Sequence, residues 1–249
     1  MMPALTIIPA VDIQYGRAVQ LTRGVSSSEK VFGDPLEMAL RWQSAGAQWL
    51  HVVDLDAAFS RGSNSDQIAQ IVAKTQLNVE VTGGIRDDAT LQAALDTGCA
   101  RVNIGTAAVE NPTWCDQMIA THGDKVAVAI DVAGESLATR GWTKTEGDLW
   151  PLVERLNRAG CSRLVVTDTQ VDGTLTGVNV ALLEAVCART SAAVVASGGV
   201  SSADDVAALA TLVDRGLDAV IIGTALYVGQ ITMEQALRAA EIGVEQIKR

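Results

Sequence analysis

The sequence contains few aromatic residues and few histidines, and each scarcity narrows what the protein can be. Aromatic residues make up 4% of its 249 residues, whereas hydrophobic residues make up 48%. Small aliphatic side chains must therefore fill the core, which is typical of parallel strands buried on both faces. The only two histidines are His51 and His122, and His51 lies within an apolar segment, where we expect it in the core. Histidine-based catalysis and histidine metal sites are disfavoured, so carboxylates remain as the acid and base.

Positive charge and long apolar segments are also lacking. The formal net charge is −10, which argues against binding to nucleic acid or to an acidic membrane surface. No run of about 18 apolar residues occurs, and no basic segment precedes the first apolar run, so we expect a soluble cytoplasmic protein. The four cysteines have no zinc or redox spacing and are expected as buried thiols. They are Cys99, Cys115, Cys161 and Cys187.

Short apolar runs rich in β-branched residues alternate with segments of helical period. We predict strands within residues 5–11, 49–53, 78–81, 101–104, 126–130, 163–167, 192–196 and 219–222. Helical segments such as PLEMALRWQSAG and DATLQAALDTG lie between them. Several of these segments end in a glycine that suits a left-handed helix cap: Gly46, Gly98, Gly160 and Gly216. Eight β-then-α units in a chain of this length predict a (β/α)8 TIM barrel.

The sequence contains an internal repeat, and each copy corresponds to half of the predicted barrel. VNIGTAAV at residues 102–109 and VIIGTALY at residues 220–227 share a Gly-Thr-Ala triplet after an apolar run. The glycine of this triplet is Gly105 in one copy and Gly223 in the other, and three further pairs recur at a similar offset: Asp12 with Asp131, Asp54 with Asp168, and Gly84 with Gly199. We predict one domain, residues 1–249, built from half-barrels of about 1–122 and 123–249, because half a barrel alone would leave sheet edges unpaired.

Aspartates follow four of the predicted strands: Asp12, Asp54, Asp131 and Asp168. The C-terminal ends of the strands face the active site in barrels of this kind, so each aspartate is a candidate functional group. An aspartate in this position can instead cap the loop or helix that follows. Because Asp12 and Asp131 match across the repeat, we expect these two to face each other over the barrel mouth.

Glycine pairs follow the third and seventh strands, and Gly-Thr follows the fourth and eighth. These are Gly83–Gly84, Gly198–Gly199, Gly105–Thr106 and Gly223–Thr224. Glycine lets a ligand approach the backbone closely, and N–H groups at a helix start bind phosphate. Their occurrence in both halves predicts two phosphate sites on opposite sides of the mouth.

The loop after the fifth strand, GESLATRGW, offers two more candidate groups. Arg140 can hold a carboxylate or a phosphate, and Trp142 can stack on a flat ring. A solvated arginine and a tryptophan packed on the surface are equally compatible with the sequence.

Seven segments spread along the chain carry a family pattern. They are IIPAVDIQYGRAV, LHVVDLDAAFSRGSN, TGGIRDD, RVNIGTAAVENP, ATRGW, TDTQVDGTLTG and ASGGVSSADD. Together they resemble the phosphoribosyl isomerases of histidine biosynthesis over essentially the whole chain. Further details, such as GCARVNIGTAAVENPTWC and EGDLWPLVERL, are similar to the bifunctional members of that family, which also serve tryptophan biosynthesis.

The resemblance implies an Amadori rearrangement, which converts an N-linked phosphoribosyl aminoaldose into an aminoketose. The implied small-molecule substrates are ProFAR, a bisphosphate of the histidine pathway, and phosphoribosylanthranilate, a monophosphate of the tryptophan pathway. An acid opens the furanose ring by protonating its oxygen, and a base removes the proton at C2 of the resulting Schiff base. Two positioned carboxyl groups suffice for this chemistry. Neither a metal nor an organic cofactor is implied, and the family default is a monomer.

The same resemblance assigns roles to individual residues. Asp12 is the base, with Thr167 assisting. The acid is left open between Asp131, which repeat symmetry favours, and Asp172, which lies in the DGT motif of the family. Arg140 and Trp142 would engage the anthranilate group or the second half of ProFAR. One phosphate would be held by Gly84, Gly105 and Thr106, and the other by Gly173, Gly199, Gly223 and Thr224.

Four residues depart from the family pattern, and three of them replace cationic groups. Gln20 stands where the bifunctional members carry Arg, Val171 replaces Lys or Arg, Thr224 replaces Lys, and Val178 replaces Pro. A hydrogen bond to a charged group contributes about 1.5 to 3 kcal/mol, so one such loss can lower ProFAR turnover about ten-fold or more. Three readings stay open: an isomerase acting on both substrates, one specialised for phosphoribosylanthranilate, and a catalytically silent phosphosugar-binding barrel. The related cyclase of histidine synthesis is disfavoured, since GRAVQL lacks its lysine.

Overall fold

Eight parallel strands close into a barrel at the centre of the computed structural model, which describes residues 4–22, 25–139, 141–142 and 144–247. The strands are β1 (Thr6–Gln14), β2 (Arg17–Thr22), β3 (Val25–Gly33), β4 (Trp49–Asp54), β5 (Asn78–Thr82), β6 (Arg101–Ile104), β7 (Val126–Ala133), β8 (Ser136–Thr139), β9 (Lys144–Asp148), β10 (Arg163–Asp168), β11 (Ala193–Ser197) and β12 (Leu217–Ile222). The barrel order is β1, β4, β5, β6, β7, β10, β11 and β12, and pairing of β12 with β1 closes it. The predicted TIM barrel is confirmed.

Helices follow the barrel strands and cover their outer faces. They are α1 (Pro35–Ser44), α2 (Leu55–Ala58), α3 (Ser65–Lys74), α4 (Asp88–Asp96), α5 (Ala107–Glu110), α6 (Pro112–His122), α7 (Leu149–Arg158), α8 (Val180–Cys187), α9 (Ala203–Ala210), α10 (Thr224–Tyr227) and α11 (Met233–Ile247). Local sequence sets several of their ends. Asp87 and Ser202, at matched repeat positions, form capping boxes at the starts of α4 and α9. Within the described chain, no helix is long and apolar enough to cross a membrane.

The interior of the barrel is distinct from the layer between strands and helices. Outward-facing aliphatic side chains pack against the helices in one large core. A smaller apolar cluster lies inside the barrel: Ile8, Val165, Val195, Ala219 and Ile221. The four cysteines are buried and free, and the four glycines expected at left-handed caps all have positive φ, so both predictions are confirmed.

Two barrel strands run on past the barrel into antiparallel hairpins. β1 continues beyond Asp12, which pairs with Val19 of β2, and β3 pairs with β2. β7 likewise continues beyond Asp131, which pairs with Ala138 of β8, and β9 pairs with β8. The expectation that these two aspartates end their strands is therefore wrong, because each strand extends by pairing with its hairpin. Sheet hydrogen bonding thus holds the backbone of both aspartates.

Candidate active site

A cavity of about 720 Å³ opens at the C-terminal ends of the barrel strands. Its volume lies within the range of small-molecule sites. All but one of the residues to which the family resemblance or the phosphate pattern gives a role line it: Asp12, Gly83, Gly84, Gly105, Thr106, Asp131, Trp142, Thr167, Asp172, Gly173, Gly198, Gly199, Gly223 and Thr224. The exception is Arg140, which lies outside the described residues. The fold therefore brings groups from both halves of the repeat to one mouth.

Asp12 and Asp131 project from opposite walls of the cavity, because four strand steps separate β1 from β7 in the barrel order. Burial raises the pKa of Asp12 to about 6, and the nearby His51 opposes this rise in part. Burial also raises the pKa of Asp131, against hydrogen bonds from Trp142 and Thr167 that favour its ionised form. The indole Nε1 of Trp142 donates to Asp131 Oδ2 at 2.8 Å. The indole of Trp142 therefore lies against the carboxyl group of Asp131 and lines the cavity.

Asp172 lies in the turn that follows β10 and lines the same cavity as the other two carboxyl groups. Its backbone N–H donates to the carbonyl of Asp168 at 3.1 Å. Burial first, and then the negative charges of Asp12 and Asp131, raise the pKa of Asp172 to about 7. A carboxyl group with this pKa keeps a proton in a large share of molecules at neutral pH, as a general acid requires.

The remaining strand-end aspartates, Asp54 and Asp168, hold loops rather than line the cavity. Asp54 accepts hydrogen bonds from the backbone N–H of Ala57 at 3.0 Å and of Asn64 at 2.7 Å. Asp168 accepts from the backbone N–H of Gln170 at 3.0 Å, and also from the side chain of Asn179 at 2.8 Å. Both are therefore capping groups, the alternative role that the sequence left open.

The glycines of the predicted phosphate sites differ in what they do. Gly84 has a φ of +73°, and a Cβ added there would lie 2.7 Å from the Cβ of Ala57. Gly199 has a φ of +89°, and a Cβ added there would lie 2.4 Å from the carbonyl oxygen of Gly177. These two are therefore required by tight turns. A Cβ on Gly105 would meet nothing within 4 Å, although this residue lines the cavity. Its backbone is open to a ligand.

The expected helix starts at these sites are short. α5 and α10, which follow Gly105 and Gly223, have 4 residues each. One turn of helix carries little dipole, so any phosphate would be held mainly by individual backbone N–H groups. Among the described residues that line the cavity, Arg86 is the only lysine or arginine, and its guanidinium also donates to the carbonyl oxygens of Gly84 and Ala57.

Sequence reasoning missed a buried charged cluster beneath the cavity, formed by His51, Glu80 and Arg101. His51 is buried, as expected, but it also lines the cavity. Its Nδ1 lies 2.7 Å from Glu80 Oε1, and Arg101 contacts Glu80 Oε2 from Nε at 3.2 Å and from Nη2 at 2.7 Å. Burial alone would raise the pKa of Glu80, but His51 and Arg101 together lower it to about 2. The available signal was the presence of charged residues within apolar strands.

Two of the four departures from the family pattern contact each other. Gln20 Nε2 donates to Thr224 Oγ1 at 2.6 Å, and both residues line the cavity. Gln20 Oε1 is buried without a hydrogen-bond partner among the described residues. Val178 packs against the apolar core, and Val171 lies against the Gly199 turn. Neutral groups thus stand together at one wall of the cavity.

Comparisons with known proteins identify the family of this chain. The family described as histidine biosynthesis protein matches residues 6–232. A protein of Saccharopolyspora erythraea is 57% identical over 240 residues, which cover 95% of this chain and 99% of that protein. A protein of Thermobifida fusca is 57% identical over 237 residues, which cover 95% of this chain and 97% of that protein. Both are named 1-(5-phosphoribosyl)-5-((5-phosphoribosylamino)methylideneamino) imidazole-4-carboxamide isomerase, an isomerase of ProFAR. A protein of Mycolicibacterium vanbaalenii, named phosphoribosyl isomerase A, is 56% identical over 240 residues, covering 95% and 94%.

Proposed function

The chain belongs to the histidine biosynthesis protein family as an isomerase, and from that premise we propose that it rearranges phosphoribosyl aminoaldoses to aminoketoses, acting on ProFAR and on phosphoribosylanthranilate. One observation carries the proposal. Asp12, Asp131 and Asp172 line one cavity of phosphosugar size, and the pKa of each is raised. Simple anion binding gains nothing from three carboxyl groups, which disfavours a silent binding barrel.

The pKa values support a division of labour among the three aspartates. Asp12, with a pKa of about 6, is mostly ionised at neutral pH and is the base that removes the C2 proton. Asp172, with a pKa of about 7, retains a proton and is the acid that opens the ring. Asp131 accepts hydrogen bonds from Trp142 and Thr167, which favour its ionised form and make it the poorer acid. Asp131 then holds the tryptophan over the substrate.

Two phosphate subsites on opposite walls fit the two ends of a bisphosphate. The first is formed by Gly83, Gly84, Gly105 and Thr106, and the second by Gly173, Gly198, Gly199, Gly223 and Thr224. The open backbone at Gly105 supports the first subsite. A bisphosphate that occupied both subsites would place a ribose between them, beside the carboxyl groups that supply the acid and the base.

Turnover by the purified protein tests the proposal. We expect conversion of at least one of the two substrates to its aminoketose, and a loss of about 10²-fold or more in Asp12→Asn and in Asp172→Asn. Asp54→Asn is the matched control, since Asp54 is a buried strand-end aspartate that caps a loop. Circular dichroism establishes that each variant is folded. Binding of both substrates without conversion by the wild type would instead establish the silent barrel.

The Gln20–Thr224 contact favours a second candidate, an isomerase specialised for the monophosphate substrate. A neutral amide and a hydroxyl occupy the positions at which the bifunctional members are expected to carry cations, and the amide donates a hydrogen bond to the hydroxyl. The monophosphate loses less from this change than the bisphosphate does. The test is the double variant Gln20→Arg, Thr224→Lys. We expect it to raise kcat/KM for ProFAR relative to phosphoribosylanthranilate by about ten-fold or more, from about 1.5 to 3 kcal/mol per charged hydrogen bond. An unchanged ratio would exclude this pair as the determinant.

A further inference from the structure

The two halves of the barrel fill equivalent interior positions with side chains of opposite character. The strand registers that align Asp54 with Asp168, Gly84 with Gly199 and Gly105 with Gly223 also align three interior pairs. These pairs are His51 with Val165, Glu80 with Val195, and Arg101 with Ala219. The three aliphatic residues belong to the apolar cluster inside the barrel. The charged cluster is thus confined to the N-terminal half.

Packing alone does not account for this asymmetry. Glu80 is fully buried, and the side chains of His51 and Arg101 are 10% and 7% exposed. Removing such groups from water costs several kcal/mol per ion, and well-packed apolar replacements of buried ion pairs are often neutral or stabilising. The C-terminal half shows that aliphatic side chains fill the same positions of this barrel. A function is therefore needed to explain the charged set.

The hydrogen bonds within the cluster fix the orientation of the His51 imidazole ring. With its low pKa, Glu80 is ionised and can only accept, so the proton of their shared hydrogen bond belongs to His51 Nδ1. Arg101 holds the other carboxylate oxygen, and its guanidinium lies 4.4 Å from the ring centre of Trp49. The ring edge that carries Nε2 is left for the cavity, and Nε2 makes no hydrogen bond to any described residue. His51 is also close enough to Asp12 and Asp131 to act on both electrostatically.

We propose that Glu80, anchored by Arg101, is a positioning residue of the active site: it holds His51 so that Nε2 bonds a hydroxyl group of the sugar during the rearrangement. The inference rests on the proposed function, because it requires an open-chain sugar between Asp12 and Asp131. His51 contacts the substrate, whereas Glu80 and Arg101 act through His51. The carboxylate–histidine arrangement fixes the tautomer of the ring as well as its direction.

The primary test replaces the two supporting residues by their counterparts from the other half, in the double variant Glu80→Val, Arg101→Ala. We expect a folded protein with a Tm no lower than that of the wild type. We also expect kcat/KM to fall about 10- to 100-fold, the effect of a loosely held group at a reacting centre. Asp116→Asn is the control, because it breaks the ion pair with Arg155 between α6 and α7, outside the barrel interior, and leaves His51 untouched. Its kinetics should match the wild type.

Nitrogen-15 NMR of the histidine rings reports the mechanism directly, since the chain has only two histidines and His122 serves as an internal reference. We expect the wild type to show His51 protonated at Nδ1, with Nε2 shifting when the aminoketose product is added. Glu80→Gln keeps the side-chain volume and can both donate and accept, so we expect it to mix the His51 tautomers and to lower kcat/KM several-fold. This variant decides the matter if the double variant does not fold.

The outcomes separate the two proposals. Absence of turnover by the wild type on both substrates overturns the proposed function and, with it, the present inference. Turnover by the wild type together with unchanged kinetics and an unchanged His51 spectrum in Glu80→Gln overturns the positioning role alone. Reduced kcat/KM with mixed His51 tautomers supports both.

Discussion

The pH dependence of turnover follows from the unequal pKa values of Asp12 and Asp172. The base must be ionised, so kcat/KM falls as the pH drops below the Asp12 pKa of about 6. The acid must be protonated, so kcat/KM falls as the pH rises above the Asp172 pKa of about 7. The correctly protonated fraction is then about 60% at pH 6.5 and about 3% at pH 8.5, so kcat/KM should decrease about 20-fold over that interval.

Steady-state assays between pH 4.5 and 9 measure this profile, and Asp172→Asn provides the comparison. Without the acid, we expect a much lower rate whose alkaline limb has disappeared, while the acidic limb due to Asp12 remains. Ionisation of the substrate phosphate, near pH 6, affects both enzymes alike and is removed by the comparison. An alkaline limb that keeps its position in Asp172→Asn would refute the assignment of Asp172 as the acid and return that role to Asp131.

Four substitutions give three further predictions for the site. Asp12→Asn should increase the free energy of unfolding at pH 7 by about 3 kcal/mol, because the rise of the Asp12 pKa from 3.8 to about 6 makes its ionised carboxylate destabilise the fold progressively between those two pH values and fully above them. Denaturant titrations should show the gain shrinking towards pH 4. Gly105→Ala should raise KM about ten-fold with little change in Tm, since the added Cβ projects into the cavity where the substrate binds. Gly84→Ala should instead lower Tm, because its Cβ would clash with Ala57 at a positive φ. Trp142→Phe removes a donor to Asp131, so carbon-13 NMR should show the Asp131 pKa rising further.

The barrel could be predicted because its strands are local patterns. Every predicted apolar run coincides with a barrel strand, although the first and the seventh begin one residue early, and the repeat related the two halves to each other. The antiparallel hairpins after β1 and β7 were not predicted. Segments such as Arg17–Thr22 and Lys144–Asp148 lack a clear apolar alternation, and their strands exist because they pair with the extended ends of β1 and β7.

The candidate site was predictable where the internal repeat or the family motif marked a residue, as at Asp12 and Asp131 or at Asp172. Asp12, Asp131 and Asp172 reach the cavity as expected, whereas Asp54 proved to be a cap because its neighbours in the following loop offer backbone N–H groups. The cluster below the cavity was missed for a different reason. Glu80 lies among apolar residues of its strand, and only the barrel shows that its side chain meets those of two other strands.

The fate of C2 of the ribosyl group tests the central claim most directly. The measurement is carbon-13 NMR of phosphoribosylanthranilate and of ProFAR labelled at that carbon, mixed with wild type or with Asp12→Asn. The account predicts that the wild type converts the labelled C2 from a hydroxyl-bearing carbon into a ketone carbon in at least one substrate. Asp12→Asn should bind the same substrate and leave the signal of the labelled carbon unchanged. A label that stays in the aldose form with the wild type for both bound substrates would contradict it.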